Sequence, residues 1–73
     1  MYIILTNANP DFRGTQIALN SELIQSIHTA PVTRENGETE DVTFVFCPPH
    51  GTWEVLESTQ HIVAILNSQS WDN

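Results

Sequence analysis

A chain of 73 residues has room for one hydrophobic core, and cores of that size are marginal without a metal, disulfides or partner subunits. Its single cysteine, Cys47, excludes an internal disulfide, so the staple of small secreted domains is out of reach and a reducing cytoplasm fits best. Nine Asp and Glu against two Arg and no Lys give a formal charge of −7, which disfavours direct nucleic-acid binding, because counterion release needs several cations on phosphates.

The run Met1-Tyr2-Ile3-Ile4-Leu5 is apolar, yet it is too short for a secretory h-region and has no basic flank, and no stretch approaches a membrane span. Residues 2–6 are β-branched and aromatic and predict a strand that ends at the turn-forming cluster Asn7-Ala8-Asn9-Pro10-Asp11. Gly14 marks a turn, and residues 15–20 predict a second strand with Ile17 and Leu19 on one face, broken at Asn20-Ser21. Residues 22–29 fit a strand, but Leu23, Ile24 and Ile27 also fit a helical stripe. Ala30-Pro31 is expected to close that segment.

Residues 34–41 are polar and acidic around Asn36-Gly37, the dipeptide suited to a tight hairpin turn, and predict a solvated hairpin tip. Val42, Phe44 and Phe46 alternate with Thr43, Val45 and Cys47, so both faces of this strand are apolar and it should be central or interfacial. Pro48-Pro49-His50-Gly51 interrupts the ladder before residues 52–56 return as its partner. Phe44, Trp53 and Val55 are assigned to the core by alternation. Ser58 suits a helix N-cap, with Glu57 beside it to favour the helix dipole, and Ile62, Ile65 and Leu66 share one face of a short helix expected to end at Asn67-Ser68. The expected fold is therefore mainly β: a small bent antiparallel sheet of about five strands with one C-terminal helix, a single domain over residues 1–67, and a frayed tail over 68–73.

Taken in order, Ile4-Leu5-Thr6, Ile17-Ala18-Leu19-Asn20, Glu22-Leu23-Ile24 with Ile27, Pro31, and Val55-Leu56-Glu57-Ser58 followed by Ile62 and Ile65 resemble the small bacterial flagellar-regulator family called FlbD or SwrD. The similarity spans residues 2–66, and the order of the pieces carries it. It implies that the Leu-Asn-x-x-Leu-Ile segment enters a strand and that Val-x-Glu-Ser opens the last helix. Two departures stand out: residues 32–41 form an acidic insertion, and Pro-Pro-His-Gly replaces a short Asn-Gly turn. A short acidic chain without lysine is also similar in composition to phage-encoded proteins that modulate a host.

Cys47 and His50 lie three apart around a proline turn. A structural zinc would need about four ligands, with His28 and His61 converging from other elements, so the simpler expectation is a buried thiol and a surface histidine, with no metal and no cofactor. A cysteine nucleophile would need a base and an oxyanion hole that the sequence does not supply. Arg13 and Arg34, with His50, are the candidates for holding an anionic ligand; otherwise the arginines balance local acids. Glu35, Glu38, Glu40 and Asp41 either present a row of negative charge to a basic partner or form a solvated tip. Trp71 is either an interface anchor or a side chain packed back on the helix.

These features lead to a non-enzymatic regulatory module, a homo-oligomer in the cytoplasm of a bacterial or phage-infected cell, acting on a host or motor-associated protein. Two alternatives are an oligomeric sponge for an anionic signalling nucleotide and an acidic mimic of nucleic acid.

Overall fold

Alternating apolar residues build the first strand pair, β1 (Tyr2–Thr6) and β2 (Gln16–Asn20), antiparallel with Ile3 opposite Leu19 and Leu5 opposite Ile17. All four are buried, whereas Tyr2, Ile4 and Ala18 on the other face are exposed. The intervening loop is organised by its own side chains: Asn7 Oδ1 accepts from Asn9 N at 2.9 Å and Asn9 Oδ1 from Asp11 N at 3.0 Å, the Asx geometry that favours Asn in turns. Gly14 closes it at φ +89°, a left-handed conformation that side chains resist. The computed structural model describes residues 1–70, with side chains up to residue 68, and Trp71 therefore lies outside the described residues.

Asn20 ends β2 by accepting from Glu22 N, opening a 3-10 turn over Ser21–Leu23. The segment with two sequence readings then enters β3 (Ser26–Thr33), a strand, with Ile24 and Ile27 packed against the core. Pro31 does not close it. Arg34 N donates to Glu38 O, so along the β3–β4 ladder the narrow, hydrogen-bonded pairs fall on even-numbered β3 residues and Pro31 opposes Asp41 in a wide pair. Its ring nitrogen faces the free edge, where a missing N–H costs no ladder bond.

The hairpin turns over residues 34–37, with Gly37 N donating to Arg34 O and Gly37 at φ +85°. Asn36 keeps a negative φ, so Asn36-Gly37 are the last two residues of a four-residue turn and not the centre of a two-residue one. β4 (Thr39–Cys47) starts before Glu40, so residues 32–41 are continuations of two paired strands joined by a short turn. As its two apolar faces predict, β4 is central, in a sheet ordered β3-β4-β5 with β5 (Gly51–Val55). Thr43, Val45 and Cys47 are buried on the face that shares the core with Val55 and the half-buried Trp53. Phe44, assigned to the core by alternation, lies on the opposite face, half-buried and stacked on His28 at 5.2 Å.

The five antiparallel strands thus form two small sheets with one C-terminal helix, where a single bent sheet was expected. The sheets meet where Asn7 bridges Val55: Ala8 N donates to Glu54 O and Leu56 N to Thr6 O, both at 2.9 Å. Glu57 seals this junction, its carboxylate accepting from Thr6 N at 2.9 Å and Thr6 Oγ1 at 2.8 Å, a role beyond the one expected beside the helix N-cap. Ser58 caps α1 (Thr59–Ser70) as expected, accepting from His61 N at 3.0 Å. Ile62 is fully buried between the sheets' apolar faces, and Ile65 and Leu66 pack beside it. The helix continues past Asn67-Ser68, since neither residue breaks the backbone ladder and Ser68 Oγ donates back to Ile65 O. No helix among the described residues is long and apolar enough to cross a membrane.

Glu57→Ala removes a carboxylate acceptor from two hydrogen bonds at the backbone link between the sheets. We expect a loss of about 3 kcal/mol in urea unfolding, the lower end of what two bonds to a charged group contribute together.

Candidate functional site: an arginine–glutamate cluster

Arg13 stands in the Asn-organised loop and Arg34 at the first position of the β3–β4 turn, 21 residues apart in sequence, yet both reach the same carboxylate. Arg13 Nη1 donates to Glu40 Oε1 at 2.9 Å, a tight pair, although the Arg13 side chain remains 49% exposed. Arg34 is far more enclosed, at 17%. Its Nη2 donates to the Ala8 carbonyl at 3.2 Å and lies 3.4 Å from Glu40 Oε1, while Nη1 lies 3.4 Å from Glu54 Oε1. Arg34 Nε is buried without a partner, so the guanidinium is held through Nη1 and Nη2, by the carbonyl bond and by longer, charge-assisted hydrogen bonds to Glu40 and Glu54.

The placement follows from strand parity. Glu40 opposes Val32 in β4, Glu54 opposes Phe44 in β5, and both lie on the face away from the main core. There the Arg34 guanidinium connects the loop after β1, β4 and β5. The Arg13 hydrogen bond holds the Glu40 carboxyl below its ordinary value of 4.5, against a smaller opposing effect of burial, with Arg34 adding to the lowering.

An open depression of about 650 Å³ borders this cluster, with Asp11, Arg13, Arg34, Glu35 and Glu40 among its lining residues. Carboxylates outnumber guanidiniums there, so an anion entering from one subunit must displace Glu40 from the arginines. His50 is not part of it: its ring stacks on Trp53 at 4.4 Å, and Trp53 and Glu54, adjacent in β5, face opposite sides. The sequence-derived ligand trio of Arg13, Arg34 and His50 is therefore divided, with the arginines together and the histidine apart.

The acidic residues also divide. Glu40 and Asp41 are consecutive in β4 and point to opposite faces, and Glu40 is turned onto the arginines, so the four acids do not form one row. Glu35, Glu38 and Asp41 are exposed. Cys47 is buried, His28 stacks on Phe44 and His61 is exposed on α1; among the described residues no three His, Cys, Asp or Glu side chains converge as a metal site. Sequence reasoning passed over Glu54 and the Ala8 carbonyl. Alternation does place Glu54 opposite Trp53 and Val55, but which strand brings an arginine there depends on pairing.

Comparisons with protein-family models, with curated proteins and with solved structures find no match for this chain.

Arg34→Ala leaves Glu40 and Glu54 facing each other with one carbonyl unsatisfied, and is expected to lower the melting temperature clearly, whereas Arg13→Gln, which loses a half-exposed pair, leaves it nearly unchanged. Thermal unfolding of the two variants side by side checks this order. Because the folded pKa of Glu40 is depressed, its contribution to stability is complete above pH 4.5 and is lost as pH falls through the folded value. The stability advantage of the wild type over Glu40→Gln should accordingly shrink on acidification from pH 7 to about pH 3, as melting temperatures across that range would show.

Proposed function

We propose that this protein is a non-enzymatic binding module that captures a basic protein surface, with the resemblance to flagellar regulators suggesting a host or motor-associated partner. One observation carries the reading. Arg13 and Arg34 together with Glu40 and Glu54 form a locally neutral cluster, so the formal charge of −7 resides in the other acids, with no side-chain cation among them. Among the described residues these are Asp11, Glu22, Glu35, Glu38, Asp41 and Glu57. Such a surface attracts basic partners over about a Debye length, roughly 8–10 Å at physiological salt, and repels nucleic acid. Glu35, Glu38 and Asp41 are exposed along the hairpin of β3 and β4, which gathers part of that field on one element.

The experiment is affinity capture from a bacterial lysate with the wild type and with a Glu35→Gln/Glu38→Gln/Asp41→Asn variant, which spares Glu40 and so leaves the internal cluster in place. We expect the wild type to retain a basic polypeptide that raised salt releases, and the variant to retain about tenfold less while keeping the wild-type circular dichroism. Equal capture by both proteins, or capture indifferent to salt, would reject the acidic hairpin as the binding surface. A native mass spectrum of the purified protein carrying a reproducible mass of nucleotide size would instead favour the nucleotide-sponge reading, in which the two arginines at one depression hold an anion.

A further inference from the structure

The free edges of the two sheets are guarded differently. On β3 the outward-facing position at Pro31 has no N–H to offer, a usual way of blocking edge-to-edge pairing. β2 has no such device. Ser21 N donates to Met1 O and Asn7 N to Thr15 O, both at 2.8 Å, and these bonds fix the alternation of the β1–β2 ladder. Ile17 and Leu19 therefore bond to β1, whereas Gln16, Ala18 and Asn20 direct their backbone N–H and C=O groups away from it, to an edge beside which no strand lies among the described residues.

That edge is also free of charge. Residues 1–10 and 14–21 contain no Asp, Glu, Lys, Arg or His, in a chain whose formal charge is −7. The sheet face next to it is apolar and open, with Tyr2 66% and Ile4 55% exposed. A basic partner finds no carboxylate here. A second copy of the same chain finds an identical uncharged strand, at the place where two anionic molecules repel each other least.

We propose that the free edge of β2 is a homodimer interface, in which two copies pair β2 antiparallel about a twofold axis at Ala18. In that register Ala18 opposes the partner's Ala18, Gln16 the partner's Asn20 and Asn20 the partner's Gln16. All three are narrow pairs that use the outward N–H and C=O groups. Ile17 opposes the partner's Leu19, so the buried faces of the two copies stay on one side of a continuous four-stranded sheet, and a register shifted by one residue would not preserve this. On the other face Ile4, Ala18 and their counterparts form one apolar row. Five residues per copy make a small contact, so the dimer is weak, with a dissociation constant in the range of about 10 μM to 1 mM.

Sedimentation equilibrium of the full chain across that concentration range tests the proposal. The mean mass should rise from the 8.2 kDa of one chain towards twice that value. Added salt should strengthen the dimer by screening the repulsion between its acidic halves, the opposite of its effect on a basic partner. Ala18→Pro removes the central outward N–H at a position not bonded to β1, as Pro31 does in β3. Ala18→Lys keeps the backbone and sets two ammonium groups against each other at the axis. We expect both folded variants to remain at 8.2 kDa, with Ala18→Lys carrying the test should the proline variant fail to fold. A wild type that stays monomeric up to about 1 mM, or a folded Ala18→Lys that dimerises as the wild type does, would overturn it.

Discussion

The meeting of residues 6–8 with residues 54–57 is the constraint on which the rest of this structure depends. Neither sheet can bury its apolar face alone, since two or three short strands offer one wet side and one dry side. The Asn7–Val55 bridge and the Thr6–Glu57 bonds bring the end of β1 against the end of β5. Ile3, Leu5, Ile17 and Leu19 thereby come to share a core with Val45, Cys47 and Val55. The helix that supplies Ile62 begins directly after the junction, so one short stretch both joins the sheets and aims the element that covers them. Thr29, bonded through its hydroxyl to Thr43 and to Thr59 at the first turn of α1, ties the far sheet to that helix.

Arg34 extends the same junction on the opposite face. Its bond to the Ala8 carbonyl holds the loop after β1 against the second sheet, while Glu40 and Glu54 supply its counter-charge. A chain with only two cations places both in this arrangement. The internal gain is modest, because Arg34 lies 3.4 Å from each carboxylate and one of its nitrogens is unpartnered. The outer consequence is larger, since all unbalanced charge is left negative. The arginines that fasten a loop are not available to soften the acidic field around it.

Pro31 shows how a residue that ends a strand in one setting can serve one in another. Read locally, Ala30-Pro31 is a stop signal. In the sheet, Pro31 occupies a wide pair at an outer edge, where its missing donor is harmless and its ring discourages a further strand. The same alternation explains why Phe44 left the core and why Glu40 and Asp41 part company. Each depends on which residue of the partner strand lies opposite.

Much of the local structure was legible in the sequence. Period-two alternation, Gly and Asn at turns and Ser58 as a cap placed five strands and one helix, because these signals arise from interactions within a few residues. The number of sheets, the course of β3 through Pro31 and the length of α1 were not legible, since pairing and packing outweigh local preference there. The candidate site was half visible: two arginines and an acidic segment could be singled out, but Glu54 and the Ala8 carbonyl could not. By itself the sequence determined the alternating faces, the turns and a formal net charge of −7. Only the tertiary structure decided that both arginines reach the Glu40 carboxylate and that β2 keeps a bare edge among the described residues, because both follow from long-range strand pairing that no local pattern encodes.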